Sequence, residues 1–172
     1  QKYKIAGIID NQIPKNNLFL NYQILGNEDE LLDIFNKSDI YGLIVAIGNN
    51  FIRSKIVEKV TQINSEIQFI NCIHPSSNIA SDVKIGSGNV IMPGTTINSS
   101  SEIGDHCILN TNSSIDHDNL LSNLVSIAPN VATGGNVKIG EHSAIGIGSS
   151  IMHDITIGHN CIVGANSLVN KN

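Results

Sequence analysis

The sequence predicts a chain of two unlike parts: an α/β half over residues 1–72, then an all-β parallel β-helix over residues 73–172. Three observations carry that reading. Strand-like and helix-like periods alternate through the first seventy residues, and an apolar residue recurs every six positions through the last hundred. Aromatic residues are only 4% of the 172, and Trp is absent, so the core must be built from Ile, Val, Leu and small side chains. β-Branched residues of this kind suit pleated, stacked strands.

In the first half, residues 5–9 read as a short apolar strand that ends at Asp10-Asn11, and residues 41–47 as a second that ends at Gly48-Asn49-Asn50. Between them, Asn27-Glu28-Asp29-Glu30 offers a cap and an acidic first turn to a helix through Leu31, Leu32, Ile34 and Phe35. Phe51, Ile52, Ile56, Val57, Val60 and Ile63 then recur at helical spacing, and residues 67–73 form a third strand. This βαβαβ order predicts a small parallel, Rossmann-like sheet with right-handed crossovers. Ligands on such sheets sit beyond the strand C-termini, where Asp10, Asn11 and Gly48 stand. Asp10-Asn11 also reads as a plain turn.

In the second half the register runs Ile73, Ile79, Ile85 and onward to Val169, and of seventeen positions only Thr133 departs from it. Two residues before each stands a second, mostly small side chain, such as Ser101, Cys107, Ser113, Ser143 and Ser149. A period of six fits neither a 3.6-residue helix nor an isolated strand; it suits a coil of flat faces joined by corners. With three faces per coil, eighteen residues make the vertical repeat, and like residues stack in columns at about 4.8 Å.

Fifteen acidic against ten basic residues give a net charge of −5, which argues against a nucleic-acid or polybasic membrane surface. No apolar run approaches the ~20 residues of a membrane-spanning helix, and the N-terminus does not read as a signal peptide. The expected compartment is the cytoplasm. Cys72, Cys107 and Cys161 make neither a disulfide framework nor a CxxC pair, which suits a reducing environment.

The densest run of reactive groups is Asn110-Thr111-Asn112-Ser113-Ser114-Ile115-Asp116-His117-Asp118. His117 lies two places after the register residue Ile115, off the apolar column and flanked by carboxylates. Such a setting fixes a tautomer and raises basicity, as a general base needs. On local features alone the run also reads as a solvated corner. Gly135 stands eighteen residues on, in the same column, where a missing side chain gives a substrate room; Gly134-Gly135 also reads as ordinary turn chemistry.

The hexapeptide register resembles the left-handed parallel β-helix of the hexapeptide-repeat acyltransferases, and the handedness comes from that resemblance. Members are typically trimers with acyl-CoA sites between neighbouring prisms. Taken with the βαβ half, the Ala46-Ile47-Gly48-Asn49-Asn50 turn and Arg53, the whole chain resembles the nucleotide-activated amino-sugar N-acetyltransferases, close relatives of the sialic acid O-acetyltransferases. The resemblance implies transfer of an acetyl group from acetyl-CoA to the amine of a UDP-4-amino-sugar, with His117 as general base and Asp118 raising its basicity. It places acetyl-CoA contacts near Gly135, Ile147 and Ala165, with Ser126 where the family often has a second His. It assigns Asp10 and Asn11 to the nucleoside and Gly48 to a close backbone contact. It also implies a homotrimer, no metal, a strand and glycine-rich phosphate loop before Gln1, and a capping segment after Asn172.

Three alternatives stay open beside that resemblance. One is O-acetylation of sialic acid or a related sugar hydroxyl. Another is a noncatalytic trimeric solenoid that binds a sugar nucleotide. The third is a zinc site of the gamma carbonic anhydrase type, since His106 to His117 and His142 to His153 repeat an eleven-residue spacing. That family's pair of histidines five residues apart fails here, because position 122 is Ser.

Overall fold

The structure, a computed structural model, describes residues 3–37 and 40–172. The chain packs as two compact units, residues 1–43 with 58–68, and residues 44–57 with 69–172. The domains expected as 1–72 and 73–172 divide the chain by sequence; packing places the segment 44–57 with the β-helix.

The first unit holds three assigned strands, β1 (Ile8–Ile9), β2 (Leu18–Phe19) and β3 (Tyr22–Gly26), in the order β1-β3-β2. β1 runs parallel to β3, pairing Ile8 with Ile24, whereas β2 and β3 form an antiparallel hairpin. The hairpin turns on Leu20 and Asn21, both at positive φ (49° and 66°). Two consecutive left-handed residues match the right-handed twist of the flanking strands. The expected α/β character is present, but the expected parallel arrangement of residues 5–9, 41–47 and 67–73 is corrected. Among the described residues, the second of these segments has only an isolated bridge, at Leu43, whose N–H donates to the carbonyl of Gln68 at 2.9 Å. The end of the third, Cys72–Ile73, is already the first rung of the β-helix. The hairpin was illegible because its turn carries Leu, not Gly, at its first left-handed position.

The expected first helix forms as α1 (Leu31–Lys37), preceded by a 3₁₀ turn over Glu28–Glu30. Asn27 and Glu30 make a reciprocal capping box: the Asn27 side chain accepts from the Asp29 N–H at 2.9 Å, and Glu30 accepts from the Asn27 N–H at 3.1 Å. Among the described residues, Ile24, Leu31, Ile34, Val60 and Ile67 are the buried hydrophobic side chains of this unit. The second expected helix is α2 (Asn50–Ile63).

The second unit is a left-handed parallel β-helix of two-residue strands. Its strands form three sheets, two of six strands and one of five, with every strand paired to those eighteen residues away. The first face runs from Cys72–Ile73 through Val90–Ile91, Ile108–Leu109, Ser126–Ile127 and Ala144–Ile145 to Ile162–Val163. In each pair the second residue points inward, and Ile91, Ile97, Ile103, Leu109, Ile115, Leu121, Ile127, Ile139, Ile145, Ile151 and Ile157 fill one continuous core. At about 1.5–3 kcal/mol per buried Leu or Ile, this column is the main favourable term of the unit.

The corners explain the rest of the six-residue period. From Gly88 to Asn166 one residue per corner adopts a left-handed conformation, including Ser100, His106, Asn112, Asp118, Asn130, Asn136, His142 and Asn166. Asn, Asp and His tolerate that region better than most residues, so the coil's sharp turns select them. His106 and His142 are therefore turn residues, which accounts for half of the repeated histidine spacing.

Candidate active site

His117 and Asp118 form the corner that follows the strand Ser114–Ile115 on the second face. Asp118 takes the left-handed position of that corner, at φ 57°, which turns its carboxylate back toward the preceding residue. His117 Nδ1 lies 2.7 Å from Asp118 Oδ2, and both side chains are 57% exposed. The pairing places the proton on Nδ1 and leaves Nε2 as the basic nitrogen. The bond from Asp118, and after it the charge of Asp116, hold the imidazole above its ordinary pKa. Asp116 is held below its own by the side-chain amide of Asn98, which donates at 2.9 Å, and by the His117 N–H.

Gly135 lies directly against this imidazole. A Cβ at position 135 would stand 2.5 Å from His117 Cε1 and 2.7 Å from Nε2. Only a residue without a side chain lets the ring lie across the next coil with its basic nitrogen uncovered. The sequence placed Gly135 in the column of His117, and the structure brings the two together.

The other expected site residues fall elsewhere on the coil. Ile147 and Ala165 share the corner after the first face, on adjacent coils, and both are exposed; Asn166, next to Ala165, donates its N–H to the Ile147 carbonyl at 2.8 Å. Ser126 projects outward from the first face, where it lines a groove of about 450 Å³ with Ala46, Gly48, Met92, Asn110 and Ala144. Its hydroxyl donates to Asn50 Oδ1 at 2.6 Å and accepts from Arg53 Nη2 at 3.2 Å, so its proton is already committed.

Arg53 is the hub that sequence reading left without a role. It is 1% exposed, and its guanidinium donates to the carbonyls of Ile47, Gly48, His106 and Leu124 as well as to Asn50 and Ser126. Asn50 in turn donates to the carbonyls of His142 and Ser143. The turn that carries Gly48 is thereby fastened to the β-helix within one unit. Its signal in the sequence was an arginine among the apolar positions of an otherwise amphipathic helix. His106, also buried, stacks edge-on to Phe69, and burial pushes its pKa down.

In the first unit, Asp10 follows β1, and its carboxylate accepts from the N–H groups of Gln12 and Ile13 at 2.7 and 2.9 Å, which hold its pKa below the usual range. Asn11 is paired with Glu28 through both ends of its amide. The pair at the strand end thus builds its own loop. Among the described residues, no three His, Cys, Asp or Glu side chains converge as a metal cluster, and no helix is long and apolar enough to cross a membrane.

Comparisons with known proteins agree with this architecture. A family profile described as the PglD N-terminal domain matches residues 1–60, and one described as bacterial transferase hexapeptide (six repeats) matches 82–117 and 136–171. The chain is 32% identical over 91 residues to GDP-perosamine N-acetyltransferase of Escherichia coli O157:H7, a match covering 53% of this chain and 40% of that protein's length. A crystal structure of PerB from Caulobacter crescentus, in complex with CoA and GDP-perosamine, superposes with a TM-score of 0.90 at 32% identity, covering 98% of this chain and 78% of that one. The acetyltransferase domain of PglB from Neisseria gonorrhoeae superposes with a TM-score of 0.85 at 27% identity, covering 96% and 78%. With both segments matched in order and the full fold shared, the chain belongs to the hexapeptide-repeat sugar acetyltransferase family.

Proposed function

We propose that this protein transfers an acetyl group from acetyl-CoA to the amine of a nucleotide-linked amino sugar, with His117 as the general base. The observation that carries the reading is the His117–Asp118 pair lying over a side-chain-free Gly135. Asp118 holds the proton on Nδ1, so Nε2 accepts the proton of the attacking amine and returns it to the departing thiolate. Acetyl-CoA supplies the acyl group as a thioester. Backbone N–H groups of the neighbouring coil supply donors for the developing oxyanion.

Gly135, Ile147 and Ala165 form the proposed acetyl-CoA contacts, with Ser126 beside them on the first face. These positions lie on two different edges of the prism and on successive coils, a division that an arrangement between neighbouring prisms of a homotrimer accounts for. Ser126, bound to Asn50 and Arg53, serves that site by fixing the groove wall. Asp10 and Asn11 in the first unit, and separately Gly48 in the second, are the proposed nucleotide-contacting residues, the Asp10-Asn11 loop and the Gly48 turn each being held by hydrogen bonds within its own unit. Relatives bound to GDP-perosamine support an amino sugar on a nucleoside diphosphate, and the sequence resemblance points to a UDP-linked one.

The test is CoA release by the full-length protein from acetyl-CoA with GDP- and UDP-linked 4-amino sugars and with free sialic acid. Turnover on an amino sugar, with an N-acetyl product, is the expected result. Turnover on sialic acid alone moves the reading to O-acetylation. No turnover on any acceptor, together with no heat of acetyl-CoA binding, overturns it in favour of a noncatalytic solenoid.

A further inference from the structure

The corner that carries His117 is built differently from every neighbouring corner of its column. On the second face, the residue after each inward side chain donates its N–H to the carbonyl eighteen residues beyond that side chain: Ala80 to Ile97, Asn98 to Ile115, Gly134 to Ile151 and Met152 to Val169. At Asp116 that rung is replaced. Its N–H is bonded to the Thr133 hydroxyl at 3.2 Å, and Thr133 is the single polar residue in the apolar register. The strand pairing shows the same break: Ser114 pairs with Ala132, and no pairing of Ile115 with Thr133 follows.

Asn119 completes the substitution from the other side of the base. At the equivalent position of the six-residue repeat, Ser101 in the same column and Ser143 and Ser149 on the other faces each donate one bond to the carbonyl fifteen residues ahead. Asn119 makes that bond to Gly134 at 2.9 Å and adds two, to the carbonyls of Asp116 at 2.8 Å and His117 at 3.0 Å. The other asparagines at that position of the six-residue repeat, Asn71 and Asn89, each accept with Oδ1 from the N–H eighteen residues on, of Asn89 and of Cys107. The Oδ1 of Asn119 is buried without a partner. A fully buried amide that forgoes an acceptor bond to grip the two carbonyls beside His117 is costly for folding alone.

We infer that Thr133 and Asn119 are positioning residues for the proposed base, replacing one rung of the β-helix ladder so that the corner holds His117 against Asp118. The inference rests on the proposed role of His117 in catalysis, but what it asserts about the His117–Asp118 pair is independent of activity. The charged groups in this corner column are Asp116 and Asp118 in its own coil, Asp82 two coils before, and Asp154, beside His153, two coils on.

Two variants test it. Thr133→Val is isosteric and restores the apolar register; Asn119→Ser keeps the ladder bond that Ser101, Ser143 and Ser149 make and deletes the two corner bonds. The readouts on the full-length protein are the NMR titration of the His117 imidazole, kcat and KM for acetyl transfer, and thermal melting. The expected result is a His117 titration that moves down toward the ordinary value of about 6.5 in each variant. A base misplaced by about 1 Å loses about 10²-fold, so a loosened corner is expected to lower kcat about 10-fold, with KM for acetyl-CoA within about twofold. Thr133→Val should melt no lower than the wild type. An unchanged His117 titration in both variants overturns the inference, whatever happens to melting. A shifted titration with unchanged kcat upholds the positioning role and instead sinks the reading of His117 as the base.

Discussion

The close approach of Gly135 to His117 makes Gly135→Ala the most informative single substitution. The φ of Gly135 lies outside the left-handed region, so an alanine backbone fits without strain. The new methyl would stand 2.5 Å from Cε1 and 2.7 Å from Nε2 of the imidazole, where ordinary contacts begin near 3.4 Å. The ring must therefore retreat by about 1 Å, and a misplacement of that size costs about 10²-fold in rate. Stability should hardly change, within about 0.5 kcal/mol, because the displaced group is an exposed side chain free to swing into solvent. Steady-state acetyl transfer and a thermal melt on the same preparation read the two effects. Wild-type kcat in the alanine variant would refute the placement of His117 over Gly135. A large drop in melting temperature would show that the glycine serves the fold instead.

Further outcomes follow from the electrostatics and the packing. Because Asp118 and then Asp116 raise the His117 pKa, the acidic limb of kcat/KM should lie above pH about 6.5, and Asp118→Asn should move it downward; a limb that stays in place contradicts the pairing. The same pairing favours the folded state below pH about 6.5 and loses that effect as pH rises through the raised value, weakly, since both groups are more than half exposed. Arg53→Met should destabilise the full-length protein by about 3 kcal/mol in denaturant unfolding, since it strands several buried carbonyls at about 1–3 kcal/mol each with partial relaxation. An alkylating reagent should modify exposed Cys72 in the native protein and spare Cys107, whose burial pushes its thiol up to about 12.

The β-helix was legible from one period because its physics is local: an inward apolar residue and a left-handed corner repeat every six positions, and both leave a mark in the text. His117, Asp118 and Gly135 were legible for the same reason, since an eighteen-residue offset fixes which residues stack. The first half was less so. Its helices announced themselves through the Asn27–Glu30 capping box and an apolar stripe, but the hairpin over residues 18–26 turns on Leu20, which no turn preference selects. Arg53 was visible as a residue and invisible as a hub, because its acceptors are carbonyls as far as seventy-one positions away. In the sequence Thr133 is only an irregularity of the register. Its hydrogen bond to Asp116 makes that irregularity part of the corner that carries His117.

The proposed role of His117 is to move the proton in acetyl transfer to a nucleotide-linked amine. It is tested most directly by comparing wild type and His117→Ala on the acceptor that the wild type turns over, with acetyl-CoA binding measured by calorimetry on both. A kcat lower by about 10²- to 10⁴-fold in the variant, with acetyl-CoA affinity retained, is the expected result. A variant that binds acetyl-CoA and turns over at the wild-type rate would contradict it.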